Sequence, residues 1–210
     1  FSSEIKGLFT SNLDLKIDPY KSLRNPQELE GNFSTIYENV KILPPGSFFN
    51  FNVKTFEIKK VRWWKSLENP PNISPNKNIL EEEFVNKLIS ATKLRLVSDV
   101  KIATSLSGGL DSSVIFSILN NFQNQSNLDL NPFIIEENNA TFQEALLLTK
   151  VYNRKPIIIN DELPPLQNFK NKLSSLELIT PYFNQLNLYK RQNQLGTKVS
   201  IDGHGADECL

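Results

Sequence analysis

The sequence predicts an α/β domain whose parallel sheet is covered by helices on both faces, preceded by a smaller piece of different architecture. Three observations carry this. Short apolar runs at Val100–Ser105, Pro132–Ile135, Pro156–Ile159 and Lys198–Ile201 alternate with helix-length segments, the pattern of βαβ crossovers around a sheet buried on both sides. The stretch SLENPPNISPNKN, rich in Pro and Asn and poor in apolar residues, separates those runs from what precedes them, so residues 65–78 read as a linker. A Gly- and Ser-rich turn follows the first run and opens a helix.

Taken in order, a short helix is expected over Glu4–Phe9, then a polar segment, Asn12–Asn39, with little periodicity. KILPPGSFFNFNVKTFEIKKVRWW combines a Pro-Pro-Gly turn with two β-like runs, Ser47–Phe51 and Thr55–Lys60, joined by the three-residue loop Asn52–Lys54. Phe48, Phe49, Phe51 and Phe56 are assigned to sheet packing. Residues 1–64 together read as the end of a domain rather than its beginning. Beyond the linker, Ile79–Val97 places Phe84, Val85, Leu88, Ile89, Thr92 and Leu96 on one helical face. Further helices are expected at Ser113–Asn121, Thr141–Tyr152, Leu166–Leu176 and Tyr182–Gln194. No internal repeat is visible.

Composition narrows the function classes. The 210 residues carry 23 Lys+Arg and 23 Asp+Glu, a formal charge of zero, which argues against a chain built mainly to bind nucleic acid or an anionic membrane. Hydrophobic residues make up 39% and charged residues 22%, the balance of a globular chain able to bury its own core. The single cysteine, Cys209, excludes an internal disulfide and a multi-cysteine metal site, and the single histidine, His204, excludes a His-rich one. No apolar run is long enough for a membrane span, and FSSEIKG lacks the layout of a signal peptide, so a cytoplasmic location is expected. Methionine is absent and the sequence stops at Leu210 directly after a cluster of Gly and acids. The expectation is an internal piece of a longer protein.

The chemistry concentrates in Ser107-Gly108-Gly109-Leu110-Asp111-Ser112-Ser113. Glycines permit close backbone approach to a ligand. The hydroxyls of Ser107, Ser112 and Ser113, with the unpaired amides of a helix start, form an anion cradle suited to phosphate. Asp111 is out of place beside an anion unless a cation bridges the two, which points to Mg²⁺. The bland alternative is a Gly-Gly turn with an Asp or Ser cap, but a cap needs one such residue and here several coincide. A Walker A loop is excluded by the missing lysine.

SLSGGLDSS resembles the pyrophosphate-binding loop of ATP pyrophosphatases of the asparagine synthetase family. FSSEIKGLF is similar to that family's FASEIKAL segment, VKILPPGSFF to its I-x-x-LPPG hairpin, and RLVSDV to its R-L-x-SDV lead-in. Asp202-Gly203-His204-Gly205-Ala206-Asp207-Glu208 resembles the family's S-G-E-G-[AS]-D-E motif. The resemblance implies a parallel-sheet ATP-pyrophosphatase domain (adenine nucleotide α-hydrolase-like) over residues 79–210. Before it would stand the C-terminal end of an N-terminal-nucleophile glutaminase domain over residues 1–64.

Site roles follow from the resemblance, position by position. Asp111 and Asp207 match the carboxylates that hold Mg²⁺ on the phosphates of ATP. Ser107, Gly108, Gly109, Ser112 and Ser113 match the pyrophosphate cradle. Leu106 and Ile134 match positions flanking the nucleotide base, and Asp202 and Gly203 match positions that touch the nucleotide mainly through backbone. Glu208 would lie near the acceptor substrate; without the resemblance, Asp207-Glu208 could simply favour a helix start. The implied reaction converts aspartate, ATP and glutamine (or ammonia) to asparagine, AMP, pyrophosphate and glutamate through a β-aspartyl-adenylate. Its cofactors are ATP and Mg²⁺ and its partners are small molecules, with a homodimer left open and neither nucleic acid nor membrane implied.

His204 replaces the family's usual Glu in the second motif, and an imidazole differs from a carboxylate in charge and pH response. It is kept as a candidate catalytic residue with a structural role as the alternative. Cys209 does not match the N-terminal cysteine nucleophile of the family's glutaminases and is expected to be a small buried residue. Residues 1–210 alone are therefore expected to be inactive. Other readings are a relative that amidates another carboxylate or closes a β-lactam, a nucleotide-binding protein without catalysis, and a tRNA-modifying ATP pyrophosphatase. The last is disfavoured by the neutral charge.

Overall fold

The computed structural model describes residues 1–3, 5–65, 68, 76–124, 127–160 and 183–206. They fall into two compact units, one formed by described residues up to 68 and the other by those from 76 onward. The expected helix at Leu166–Leu176 and the residues Asp207, Glu208 and Cys209 lie outside the described residues.

In the first unit the expected N-terminal helix is a 3-10 turn, Ile5–Thr10. The polar segment is more ordered than its sequence suggests. It holds two short helices, α1 (Pro19–Ser22) and α2 (Pro26–Gly31), and antiparallel bridges Ile17–Tyr37 and Ser34–Lys41. Local chemistry rather than periodicity starts α1: Asp18 Oδ1 accepts from the amides of Tyr20 and Lys21 at 2.9 and 3.2 Å, and Pro19 takes the first helical position.

The hairpin is β1 (Ser47–Phe51) against β2 (Ile58–Arg62), antiparallel in the register Ser47–Arg62 to Phe51–Ile58. Its second strand starts at Ile58, not Thr55. Asn52 Oδ1 captures the amides of Lys54 and Thr55, and Phe56 turns to φ +57°, which spends residues 52–57 on the loop. The Phe cluster is only partly buried within this unit: Phe49 packs edge-on against Phe1, whereas Phe56 is 75% exposed.

The second unit opens with α3 (Lys77–Arg95), capped by the Asn76 side chain on the amide of Asn78. There follow β3 (Ile102–Ala103), α4 (Leu110–Asn120), β4 (Phe133–Glu136), α5 (Ala140–Val151), β5 (Ile157–Asn160), α6 (Phe183–Gln194) and β6 (Val199–Ser200). β3 pairs in parallel with β6, and β4 with β5. The continuation of β3 joins the pairs: Phe133 N donates to Thr104 O at 3.0 Å and Leu106 N to Phe133 O at 2.9 Å. The spatial order is β5-β4-β3-β6, all parallel.

Side chains leave the strands alternately. Ile102, Leu119, Leu130 and Ile201 pack with Leu96, and Leu106, Ile134, Phe116 and Ala145 pack beneath α4 and α5. Ala103, Phe133 and Ile159 face Leu188 of α6 on the opposite side of the sheet. The strand interiors are apolar because both faces are covered. Of the predicted stripe on α3, Thr92 and Leu96 are buried while Phe84 and Val85 stand about half-exposed in this unit. Among the described residues no helix is long and apolar enough to cross a membrane.

Candidate active site

β4 lies on one side of β3 and β6 on the other, so the chain reverses direction across the sheet at the C-terminal end of β3. Parallel sheets open a crevice at such a point. The Ser107–Ser113 loop and the described start of the second motif, at Asp202 and Gly203, meet there.

The loop from β3 reaches α4 through Leu106, whose side chain is fully buried against Phe116 and Ile134. Ser107 Oγ and Ser112 Oγ lie 2.9 Å apart, and Ser107 N donates to Ser112 Oγ at 3.2 Å. α4 starts at Gly109, with φ −70° and ψ 165°, and no side chain caps it. Its first-turn amides are thus available to an external acceptor, and the macrodipole favours an anion. Asp111 sits half-buried in that first turn.

The glycines have separate tasks. Gly108 has φ +84°, and a Cβ there would overlap Thr141 O and stand 2.9 Å from Ala145 N, so α5 packs directly on the loop. Gly203 lies against the other side, where a Cβ would come within 2.6 Å of the Asp111–Ser112 peptide. Gly109 is different: a Cβ there would meet only Ser107 Oγ, at 3.5 Å. The space above Gly109 is open, while Gly108 and Gly203 are required by protein packing.

On the β6 side, Ile201 N donates to Ala103 O at 2.9 Å and delivers Asp202 to the crevice. Asp202 Oδ1 accepts from Ser105 N at 2.8 Å, from Ser200 Oγ at 2.9 Å and from Ser105 Oγ; Oδ2 accepts from the Tyr189 hydroxyl at 3.0 Å. Burial pushes the Tyr189 phenol up, and the negative charge of Asp202 pushes it further. Gln185 Nε2 lies 3.1 Å from the Tyr189 oxygen and 2.8 Å from His204 Nε2.

The structure brings Ser107, Gly108, Gly109, Asp111, Ser112, Asp202 and Gly203 to one crevice, with Ser113 in the first turn of α4 and exposed His204 beside Asp202. Leu106 and Ile134 have their side chains in the core, so a base beside them could meet only their backbone. Asp207 and Glu208 lie outside the described residues. Among the described residues no three His, Cys, Asp or Glu side chains gather to hold a metal. Sequence reasoning missed Ser105, Tyr189 and Gln185. Ser105 read as the end of a strand, and the two α6 residues carry no motif.

The family model for asparagine synthase matches residues 83–210. The chain belongs to the asparagine synthase family. The match covers the parallel α/β unit, the fold class its sequence predicts. A putative glutamine-hydrolyzing asparagine synthetase 2 of Methanocaldococcus jannaschii is 32% identical over 136 residues, 61% of this chain and 25% of that protein. Amidase chyE of Penicillium rubens is 27% identical, covering 83% of this chain and 29% of that protein. Glutamine-hydrolyzing asparagine synthetase 1 of Bacillus subtilis is 26% identical, covering 100% of this chain and 33% of that protein. The chain thus spans a quarter to a third of the length of these three relatives.

Proposed function

We propose that the protein containing this chain is an ATP-dependent ligase that turns a carboxylate, aspartate in the first instance, into its amide through an acyl-adenylate. The observation that carries this is the uncapped start of α4 beneath the open space at Gly109, placed at the sheet's reversal point in an asparagine synthase family domain. That cradle fits a polyphosphate: amides and hydroxyls converge there, and no side chain fills it.

In this reading Ser107, Ser112, Ser113 and the α4 amides hold the β- and γ-phosphates and stabilise the charge that develops as pyrophosphate departs. Asp111, with Asp207, would hold Mg²⁺, whose role is to neutralise the phosphates. Backbone atoms at Leu106, Ile134, Asp202 and Gly203 would border the nucleotide, and Glu208 is assigned to the acceptor. Bound ATP supplies the adenylyl group that activates the carboxylate. Residues 1–64 are assigned to the end of a glutaminase domain that supplies ammonia from glutamine, residues 65–78 to the linker and 79–210 to the synthetase domain.

The test is pyrophosphate release by the full-length protein with MgATP and ammonium, with and without aspartate. Aspartate-dependent release with asparagine formed is expected, and Asp111→Ala should lower it by about 10³-fold or more. Undiminished release by Asp111→Ala would overturn the Mg²⁺ assignment. A second reading, amidation of another carboxylate, is favoured by the similarity to amidase chyE, as high as that to the Bacillus subtilis synthetase. It predicts no aspartate-dependent release, and release only when another carboxylate is supplied.

A further inference from the structure

The hydrogen bonds between α6 and the turn at 202–204 have a direction. We infer from it that Tyr189 and Gln185 are positioning residues that set the tautomer of the His204 ring, placing the proton of the neutral imidazole on Nδ1. A carboxylate only accepts, so the Tyr189 hydroxyl, 3.0 Å from Asp202 Oδ2, donates to it. Asp202 is not free to turn away, because its other oxygen is held by Ser105 and Ser200. The tyrosine oxygen is then an acceptor and takes a hydrogen from Gln185 Nε2 at 3.1 Å. Reversing the amide would set Gln185 Oε1 against an oxygen whose proton is committed to Asp202, acceptor against acceptor. The Asp202 contact therefore orients the amide.

The second hydrogen of Gln185 Nε2 serves His204 Nε2, 2.8 Å away. A ring nitrogen that accepts carries no proton, so the proton of the neutral ring sits on Nδ1. Free imidazole side chains favour the opposite tautomer, so the preference comes from this network and not from the ring.

The consequence concerns hydrogen-bonding character and rests on the ligase reading of this turn proposed above. Where the resembled motif carries a glutamate, a group that offers only acceptors when ionised, the Nδ1-protonated imidazole of His204 carries a donor.

Long-range ¹H–¹⁵N NMR on the full-length protein reads the tautomer directly. The His204 signals are assigned by their loss in His204→Gln, at about pH 8, above the ordinary imidazole range. The expected result is a protonated Nδ1 and an unprotonated Nε2 in the unmodified protein. Gln185→Glu replaces the donor with an acceptor and should move the proton to Nε2. Tyr189→Phe frees the amide to reverse and should give a mixture. A protonated Nε2 in the unmodified protein, or an unchanged pattern in Gln185→Glu, overturns the inference. The signal is recorded without turnover, so its failure is distinct from a failure of aspartate-dependent pyrophosphate release.

Discussion

Gly109 and Gly203 flank the same loop and answer to different demands, which substitution can separate. Gly109 has a backbone conformation open to any residue and room for a methyl group. Gly109→Ala should therefore change stability by less than about 0.5 kcal/mol, while pyrophosphate release falls about tenfold or more because the methyl occupies the proposed phosphate space. At Gly203 the added methyl meets peptide atoms at 2.6 Å, so α4 itself must shift. Gly203→Ala should lose both stability, by about 1–3 kcal/mol, and ATP binding. Thermal unfolding beside an ATP titration distinguishes the two; a stable Gly203→Ala protein with normal affinity would show that the close contact to α4 is dispensable. Asp202 belongs to the same scale. Its carboxylate is occupied by hydroxyl and amide donors from Ser105, Ser200 and Tyr189, so it works as a strut between strand ends.

Among the elements, α4 carries the phosphate cradle at one end and the core at the other. Phe116 is fully buried, packed edge-on to Tyr152 with ring centroids 5.6 Å apart. Phe116→Ala should cost about 3–5 kcal/mol in urea unfolding, and a loss below about 1 kcal/mol would mean the core collapses around the gap. The connection after α4 is tied by Lys101 and Asp129, 2.9 Å apart. Burial raises the Asp129 carboxyl, but the Lys101 ammonium and the Asn131 amide outweigh it and hold the group below its ordinary value. A carboxyl lowered in the folded state adds stability above its unfolded value that is lost as pH falls through its folded value. Comparing unfolding of the unmodified protein and Lys101→Met between neutral pH and pH ~3 should show an advantage of under ~1 kcal/mol at neutrality that shrinks in acid. An advantage undiminished in acid would place the effect in packing of the lysine stem. The hairpin shows the limit of pattern reading at this scale. Two β-like runs were legible, yet the Asn52 side chain and the left-handed Phe56 decide where the second strand begins.

Over the whole second unit, the order β5-β4-β3-β6 places the most buried strands at the centre, with Ile102, Ala103 and Phe133 at 0–1% exposure. Amide exchange should accordingly be slowest at residues 102–106 and 133–135 and fastest in the hairpin loop at 52–57. Faster exchange at Leu106 than at Phe56 would contradict the pairing of β3 with β4. How much of this could be read beforehand depends on the range of the interaction. The four parallel strands, the described helices between them and the Ser107–Ser113 loop were legible because each is specified by neighbours along the chain: an apolar run, a helical stripe, a Gly-Gly pair before a helix. Those local signals, with the motif at 202–208, determined the fold class and the candidate site. The occupation of the Asp202 carboxylate, the inward direction of Leu106 and Ile134, the separate duties of Gly108 and Gly109, and the Tyr189–Gln185–His204 chain were decided by the tertiary structure alone. Each joins segments remote in sequence, Ser105 to Asp202 across 97 positions, and such a bond exists only once the sheet has set two strand ends side by side.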